Sequence, residues 1–325
     1  MVSALFILNL IMKSSSSFRS NSLIRYWLSL SLAVFSILPV RVYSQDKLGK
    51  SIFSKENLVA WCIVPFDSKN RGPVERAKML NDLGITKLAY DWRDSHIPTF
   101  DHELDALNQH KIYLQAFWLT SSVNPSGEKG VEETLKFLSR RKVKTQIWYL
   151  FFPPKGFDNL LQDQKVDVAA SVVGYIAKKA DSLGCTVGLY NHEGWFGEPE
   201  NQLAIIEKLK MKNVGIVYNF NHAQDQIDRF TGFYPKILPH LIALNLAGLK
   251  KGDHHIYPIG KGDSEKQMIE IVWKSNYKGP IGIINEDTHP DAEIGLRMNM
   301  SGLKNILESI GDKAAAATYK SFNAQ

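Results

Sequence analysis

The sequence contains little cysteine. Its 325 residues include two cysteines, Cys62 and Cys185, which lie far apart and sit beside apolar residues. They predict small buried side chains and argue against a disulfide scaffold. A hydrophobic fraction of 44% and a charged fraction of 22% are typical of a soluble globular protein and argue against a disordered chain. The length suits one large α/β domain or two ordinary ones.

The sequence also lacks a basic stripe. The formal charge is +6, but Lys13, Arg19, Arg25 and Arg41 lie in the first 44 residues, which contain no acidic residue. Without these four residues the net charge of the rest of the chain is +2, and acidic and basic residues are mixed along it. A mixed surface of this kind argues against a nucleic-acid partner.

Long hydrophobic runs are missing as well. The apolar run from Trp27 to Val40 follows basic residues and ends shortly before Ser44, which is the order of an export signal. An uncleaved membrane anchor is the alternative, but the run is short for a span and contains Pro39. We predict that residues 1–44 form a signal peptide, so that the protein is periplasmic or secreted and keeps no stable membrane span after cleavage.

A glycine-rich phosphate loop is absent after the first predicted strand, where residues 65–68 read Pro-Phe-Asp-Ser. This argues against a doubly wound dinucleotide-binding sheet. Instead, a short apolar run followed by a helical stretch recurs eight times. The predicted strands are Val59–Val64, Lys87–Asp91, Ile112–Trp118, Thr145–Phe151, Thr186–Tyr190, Val214–Tyr218, Leu241–Leu246 and Pro280–Ile284. Near-continuous apolar strands of this kind are typical of a parallel sheet buried on both faces.

Helical patterns separate these strands. They cover Pro73–Leu83, Asp101–His110, Val131–Arg141, Val166–Leu183, Glu198–Lys210, Asp225–His240, Ser264–Asn276 and Asp291–Ile310. Eight such units in about 250 residues predict an α/β protein with a single-domain (β/α)8 TIM barrel. We expect a lead-in over 45–56, the barrel over 57–311 and a C-terminal tail over 312–325.

Polar residues gather where the predicted strands end, which is the functional face of such a barrel. They include carboxylates, amides, imidazoles and tryptophans, a mixture that suits a sugar, whose ring packs on aromatic faces while its hydroxyls are hydrogen-bonded. Simpler interpretations remain open, since Asp91 can pair with Arg93 and Trp195 can pack at the barrel rim. The candidate substrate-binding residues are Asp91, Arg93, Trp118, Lys155, Asn191, Trp195, Asn219, Asn245 and His255.

Three segments carry a family resemblance. Residues 189–195, Leu-Tyr-Asn-His-Glu-Gly-Trp, resemble the strand-5 motif of xylose isomerase-like sugar isomerases and epimerases. Residues 217–223 resemble their strand-6 motif, and residues 255–263 resemble their His…Gly-x-Gly-Asp segment. The resemblance spans residues 57–310 and implies a TIM barrel that moves a proton next to a carbonyl. It also implies Mn²⁺ or Mg²⁺ held by Glu, Asp, His and Glu from strands 5 to 8.

The chain departs from the family at these metal ligands. Tyr190 stands at the strand-5 Glu position, Asn219 at the Asp position and Asn245 at the His position, while the strand-8 Glu position falls near Ile284. Neutral side chains bind hard divalent cations poorly. We therefore expect a sugar-facing pocket without a cofactor at the usual ligand positions. A displaced Mn²⁺ or Mg²⁺ site is the alternative, built from His192, Glu193, His222, His254 or His255, and Glu286.

The sequence thus predicts an exported isomerase- or epimerase-like enzyme that acts on a small carbohydrate. Glu193 and Glu286 are the candidate acid and base, and His192 and His222 orient the substrate or carry protons. A non-catalytic carbohydrate-binding barrel and a conventional metal-dependent isomerase are alternatives, and related barrels are often oligomers. A glycoside hydrolase is a further alternative, which requires two carboxylates roughly 5 to 10 Å apart.

Overall fold

The computed structural model describes residues 51–286 and 288–319. The predicted signal peptide lies outside these ranges. Within them, no helix is both long enough and apolar enough to cross a bilayer.

Eight parallel strands close into a barrel. The barrel order is β1, β2, β3, β4, β5, β6, β7 and β10, and β10 pairs with β1 to complete it. This confirms the predicted (β/α)8 barrel. The strands of the chain are β1 (Leu58–Trp61), β2 (Lys87–Tyr90), β3 (Tyr113–Ser121), β4 (Gln146–Phe151), β5 (Thr186–Tyr190), β6 (Val214–Asn219), β7 (Leu241–Leu246), β8 (Gly248–Lys250), β9 (Asp253–Tyr257) and β10 (Ile281–Ile284).

Helices pack around the strands. Their starts and ends follow local chemistry, since Pro73 opens α1 and Gly84 closes it in the left-handed region at φ 67°. The helices are α1 (Pro73–Leu83), α2 (Phe100–Gln109), α3 (Lys129–Arg141), α4 (Gln162–Ser182), α5 (Pro199–Leu209), α6 (Phe230–Ile237), α7 (Glu265–Lys274), α8 (Ala292–Ile310) and α9 (Lys313–Ala316).

Two apolar cores hold the fold together. The larger core lies between the strands and the helices, and a smaller one fills the barrel interior around Val59, Trp148 and Ile284. Gly188 makes room there, because a Cβ at this position would lie 2.4 Å from Cγ2 of Val217 and 2.9 Å from Cδ1 of Ile242. The interior is therefore a packed core, and a ligand has to bind at an end of the barrel.

Two features differ from the sequence expectation. An antiparallel hairpin of β8 and β9 follows β7, and its Ile256 packs on the interior core. The predicted helix Asp225–His240 is instead a 3-10 turn at Ile227–Arg229, helix α6 and a second 3-10 turn at Leu238–His240. The start of this segment is irregular because the buried side chain of Gln226 accepts a hydrogen bond from the Tyr218 hydroxyl at 2.9 Å.

The described parts of the lead-in and the tail pack on each other. The Tyr319 hydroxyl donates to the Phe53 carbonyl at 2.6 Å, and the Lys55 backbone N–H donates to Thr318 Oγ1 at 2.9 Å. Tyr319 is buried. The described tail, residues 312–319, is thus part of the folded domain.

Candidate active site

A cavity opens where the barrel strands end. Its volume is about 390 Å³ including the part open to solvent. It brings together residues from β1, β3, β5 and the loops after β1, β2, β5, β6 and β10. We call it the main cavity, and its lining residues are Trp61, Cys62, Phe66, Asp91, Arg93, Trp118, Tyr190, His192, His222 and Glu286.

Aromatic rings form one wall of the main cavity. The Trp118 ring lies 5.7 Å from that of Trp61 and meets that of Tyr190 edge-on at 4.9 Å, between centroids. The indole nitrogen of Trp61 donates to the Tyr190 hydroxyl at 2.9 Å. Such a rigid aromatic surface is suited to the C–H face of a sugar ring.

Asp91 supplies a buried carboxyl at the cavity. It is 1% exposed, and its Oδ1 accepts from the Val64 backbone N–H at 3.3 Å. Among the described residues, Oδ2 has no hydrogen-bond partner. Burial raises the pKa of Asp91 to about 8, against the opposing effect of the positive charge of Arg93. At neutral pH the group is therefore mostly protonated and can donate a hydrogen bond or a proton.

Arg93 does not form a hydrogen-bonded pair with the carboxylate of Asp91. Its Nη1 donates instead to the backbone carbonyls of Asp91 at 2.8 Å and Trp92 at 2.9 Å. The guanidinium also lies over the Phe66 ring, 5.7 Å from its centroid. Arg93 thus places a fixed positive charge at the mouth while the carboxyl of Asp91 stays neutral.

Cys62 and Glu286 lie together at the same cavity. Cys62 directly follows β1 and has φ 53°, an uncommon conformation for a residue other than glycine. Its thiol donates to Glu286 Oε2 at 3.6 Å. Burial raises the pKa of the Cys62 thiol, and the nearby charges of Asp91 and Glu286 raise it further. The thiol is therefore neutral, and it positions the Glu286 carboxylate.

Two imidazoles also line the main cavity, and the His222 ring packs edge-on against that of Tyr190, 5.8 Å away between centroids. The rings of His192 and His222 lie 4.3 Å apart between centroids. Burial lowers the pKa of His222 to about 3, with a further contribution from the nearby His192 and His254. Burial also lowers the pKa of His192. At neutral pH both rings are uncharged, so each carries one donor and one acceptor for substrate hydroxyls.

A second cavity adjoins the main cavity and shares His192 and His222 with it. Its volume is about 360 Å³, again with the open part included. Glu193, the predicted acid or base, lies here with its side chain 65% exposed. The remaining lining residues of this second cavity are Gly194, Gly197, Glu198, Gln224, Asp225, Gln226 and His254.

Other predicted site residues lie elsewhere. Asn191 and Asn219 are fully buried beneath the cavities, where the Asn191 amide donates to the Asn219 carbonyl at 3.0 Å and accepts from its backbone N–H at 2.5 Å. Asn245 is also fully buried and lines neither cavity. The amides of Asn191 and Asn219 link the ends of β5 and β6, whereas among the described residues the Asn245 amide has no hydrogen-bond partner.

Three further candidates lie outside both cavities. Lys155 and His255 are exposed, and the His255 ring packs 5.9 Å from that of Tyr257. Trp195 packs edge-on against Phe157 at 5.4 Å and donates to Gln162 Oε1 at 2.8 Å. The rim-packing interpretation of Trp195 matches this placement.

The residues at the positions of the family's metal ligands are poor ligands for a divalent cation. The Tyr190 hydroxyl accepts hydrogen bonds from both Trp61 and the Asn219 amide. Asn219 Oδ1 accepts from the Asn221 backbone N–H at 3.0 Å. Over residues 51–286 and 288–319, no group of three or more His, Cys, Asp or Glu is arranged to hold a metal ion. The side chains at these positions therefore do not fit the divalent cation that the resemblance implies.

The sequence analysis did not select Trp61, Cys62, Phe66 and Tyr190 as site residues. Trp61 and Tyr190 are the last residues of β1 and β5, where side chains point into the mouth. Their strand-end positions could have identified them, but both belong to apolar runs that predict core. Cys62 points into the mouth because the strand ends early at its positive φ, which the sequence does not reveal.

Comparison with known structures shows the same fold. The chain has 15% identity to a 3-keto-D-glucoside 4-epimerase, YcjR, from E. coli, with a TM-score of 0.61 over 78% of this chain and 99% of that one. A D-tagatose 3-epimerase-like protein gives 15% identity and a TM-score of 0.59, over 78% and 98% of the two chains.

A third structure is the probable 3-DHS dehydratase AsbF of Bacillus anthracis, with 14% identity and a TM-score of 0.58 over 76% and 98% of the two chains. Comparison with curated protein sequences found no match. The family profile described as xylose isomerase-like TIM barrel matches residues 78–305. This match covers more than half of the chain, which therefore belongs to the xylose isomerase-like TIM barrel family.

Proposed function

We propose that this protein binds a small sugar or sugar derivative in the main cavity and moves a proton at a carbon next to its carbonyl. The observation that carries the proposal is the buried Asp91, whose Oδ2 lacks a hydrogen-bond partner among the described residues and which lines the same aromatic cavity as Glu286. A neutral carboxyl and a second carboxylate at one cavity supply an acid and a base. The family and the two epimerase-type structural relatives support a carbohydrate ligand.

The chemistry follows from the two carboxyl groups. Glu286 takes the proton from the carbon next to the carbonyl, and the C–H electron pair becomes the C=C bond of an enediol. Asp91, neutral at pH 7, gives its proton to the carbonyl oxygen, so no full oxyanion forms. Glu286 then gives its proton to the neighbouring carbon of the enediol, and the ionised Asp91 takes a proton from the other enediol oxygen, which completes an isomerisation and restores both carboxyl groups. Glu193, assigned a role in this step from sequence, is replaced by Asp91 because it lies in the second cavity.

The remaining residues bind and orient the substrate. The rings of Trp61, Trp118 and Tyr190 pack on the sugar, and the neutral imidazoles of His192 and His222 hydrogen-bond its hydroxyls. No step is assigned to a metal ion, because Tyr190 and Asn219 at two of the ligand-type positions are neutral and already engaged in hydrogen bonds, and the residue at a third, Asn245, is a neutral amide.

The test is exchange of carbon-bound protons with solvent. Incubation of the protein with a panel of aldoses, ketoses and keto-glycosides in D₂O, followed by NMR, should show deuterium at one carbon of one sugar. Asp91→Asn and Glu286→Gln should each reduce the rate by roughly 100-fold or more. Glu207→Gln, an exposed carboxylate on α5 remote from the cavities, should not change it.

A non-catalytic carbohydrate-binding barrel is the second candidate. The neutral residues at Tyr190, Asn219 and Asn245 favour it, because a barrel that no longer turns over substrate has no need of ligands for a cation. Saturable sugar binding without any deuterium uptake, with or without added Mn²⁺, would establish this second function and exclude the first.

The proposal includes export. It rests on the basic residues and the apolar run of residues 1–44, and it predicts a mature protein that begins at Gln45. N-terminal sequencing of the protein from a periplasmic or culture fraction is the measurement. Recovery of the full-length chain in the membrane fraction would instead support an anchor.

A further inference from the structure

We infer that the second cavity is a subsite for a second sugar ring, so that the preferred ligand is a disaccharide or glycoside without an anionic group on that ring and not a free monosaccharide. This inference rests on the proposed function, because it assumes that the first ring occupies the main cavity.

The two cavities adjoin each other at two residues. His192 and His222 line both of them, and their rings lie 4.3 Å apart. A substituent that leaves the main cavity past these imidazoles therefore enters the second cavity directly. Each cavity is small, at about 390 Å³ and 360 Å³ with the part open to solvent included, so two rings need both of them.

The second cavity differs from the main cavity in its chemistry. Imidazoles are the sole rings among its lining residues, and the other groups are carboxylates, amides and backbone. His254 of β9 lies between two of the carboxylates, with its Nδ1 4.0 Å from Glu193 Oε1 and its Nε2 3.6 Å from Asp225 Oδ2. Groups of this kind accept and donate hydrogen bonds to hydroxyls, and they suit a ring that is bound at its edge.

The charge of the second cavity limits what binds there. Glu198 is neutralised by Arg229, at 2.5 Å, and also accepts from the Gln226 amide at 3.2 Å. The imidazole of His254 lies between Glu193 and Asp225, and no Lys or Arg is among the described residues that line the cavity. A phosphate or carboxylate on the second ring would be repelled by these two acids. The second ring therefore carries no negative charge.

Isothermal titration calorimetry tests the inference with paired ligands. The probes are glucose, galactose and mannose against cellobiose, lactose, mannobiose and trehalose, with trehalose 6-phosphate as the anionic partner of trehalose. At least one disaccharide should bind roughly tenfold or more tightly than its constituent monosaccharides, which corresponds to one or two added hydrogen bonds. The phosphorylated form should bind more weakly than trehalose.

Substitutions in the second cavity test its contribution to binding separately from that of the main cavity. Asp225→Asn and His254→Gln should each weaken disaccharide binding roughly tenfold and leave monosaccharide binding within about twofold. Both side chains are more than half exposed, so these variants should fold. Glu207→Gln is the matched exposed control and should change neither affinity.

The outcomes distinguish this inference from the proposed function. Monosaccharides that bind in an Asp91-dependent way, with no advantage for any disaccharide, would overturn the second-ring subsite and leave the proposed function standing. Equal loss of both affinities in Asp225→Asn would also overturn it. If no sugar in the panel binds, both the second-ring subsite and the proposed function would be contradicted.

Discussion

The indole nitrogen of Trp61 donates a 2.9 Å hydrogen bond to the hydroxyl of Tyr190. The two residues end β1 and β5, so this bond links strands on opposite sides of the barrel. The Asn219 amide, at the end of β6, donates to the same hydroxyl. A neutral hydrogen-bonded group therefore occupies the strand-5 position at which the family resemblance expects a metal-binding carboxylate, and it fixes the aromatic wall of the main cavity.

Removal of the Tyr190 hydroxyl should lower the free energy of unfolding. Tyr190→Phe leaves the buried donors of Trp61 and Asn219 without an acceptor, which costs about 1–3 kcal/mol for each group left unpaired. The free energy of unfolding from urea titration should fall accordingly. Tyr113→Phe is the control, because that hydroxyl is at an exposed position and should change stability by less than about 0.5 kcal/mol. Equal effects of the two variants would contradict the buried network.

The ionisation of Asp91 should appear in the pH dependence of stability. Its pKa in the folded protein is about 8, above its value in an unfolded chain, so its contribution to stability is complete at low pH and is lost as the pH rises toward 8. The slope is at most about 1.4 kcal/mol per pH unit. Asp91→Asn should remove this component between pH 5 and 8.5 in urea titrations, while the exposed Asp181→Asn should retain it. An unchanged slope in Asp91→Asn would show that the carboxyl is ionised at neutral pH.

The ionisation of His222 should change the stability of the protein with pH in the direction opposite to that of Asp91. Because burial lowers its pKa to about 3, the unfolded chain binds a proton below about pH 6.5 that the folded protein does not. Stability from this group is complete above pH 6.5 and is lost as the pH falls toward 3. The His222 ring proton should not titrate by NMR between pH 8 and 5. A midpoint for His222 near 6.5 would contradict the burial argument.

A buried ion pair below the site should be sensitive to loss of one partner. Arg76 on α1 contacts Glu103 on α2, and both are at most 4% exposed. Burial raises the pKa of Glu103 in spite of Arg76, so the carboxylate depends on its partner. Arg76→Met should cost about 3–5 kcal/mol, and the double variant Arg76→Met with Glu103→Leu should recover most of it.

Chemical denaturation of both variants measures this coupling. The exposed pair of Arg140 and Asp101 gives the comparison, since Arg140→Met should lower the free energy of unfolding much less than Arg76→Met does. A double variant no more stable than Arg76→Met alone would show that the cost lies in packing and not in the unpaired charge.

The sequence by itself determined the barrel. Apolar β-strand runs alternate eight times with helical patterns, and this alternation can be buried in few ways, so the strand number and the parallel order followed from local chemistry. The same pattern placed Asp91, Arg93, Trp118, His192, His222 and Glu286 at the strand ends, where the structure brings them to one cavity.

The tertiary structure decided what these residues can do. The pKa of Asp91 depends on burial, the position of the Cys62 thiol on a positive φ, and the wall of Trp61 and Tyr190 on a contact between strands 129 residues apart. The separation of Glu193 from Glu286 into two cavities likewise depends on loop paths. Local residue patterns fix which side chains lie at the mouth, but distances, burial and charge arise only when the barrel closes.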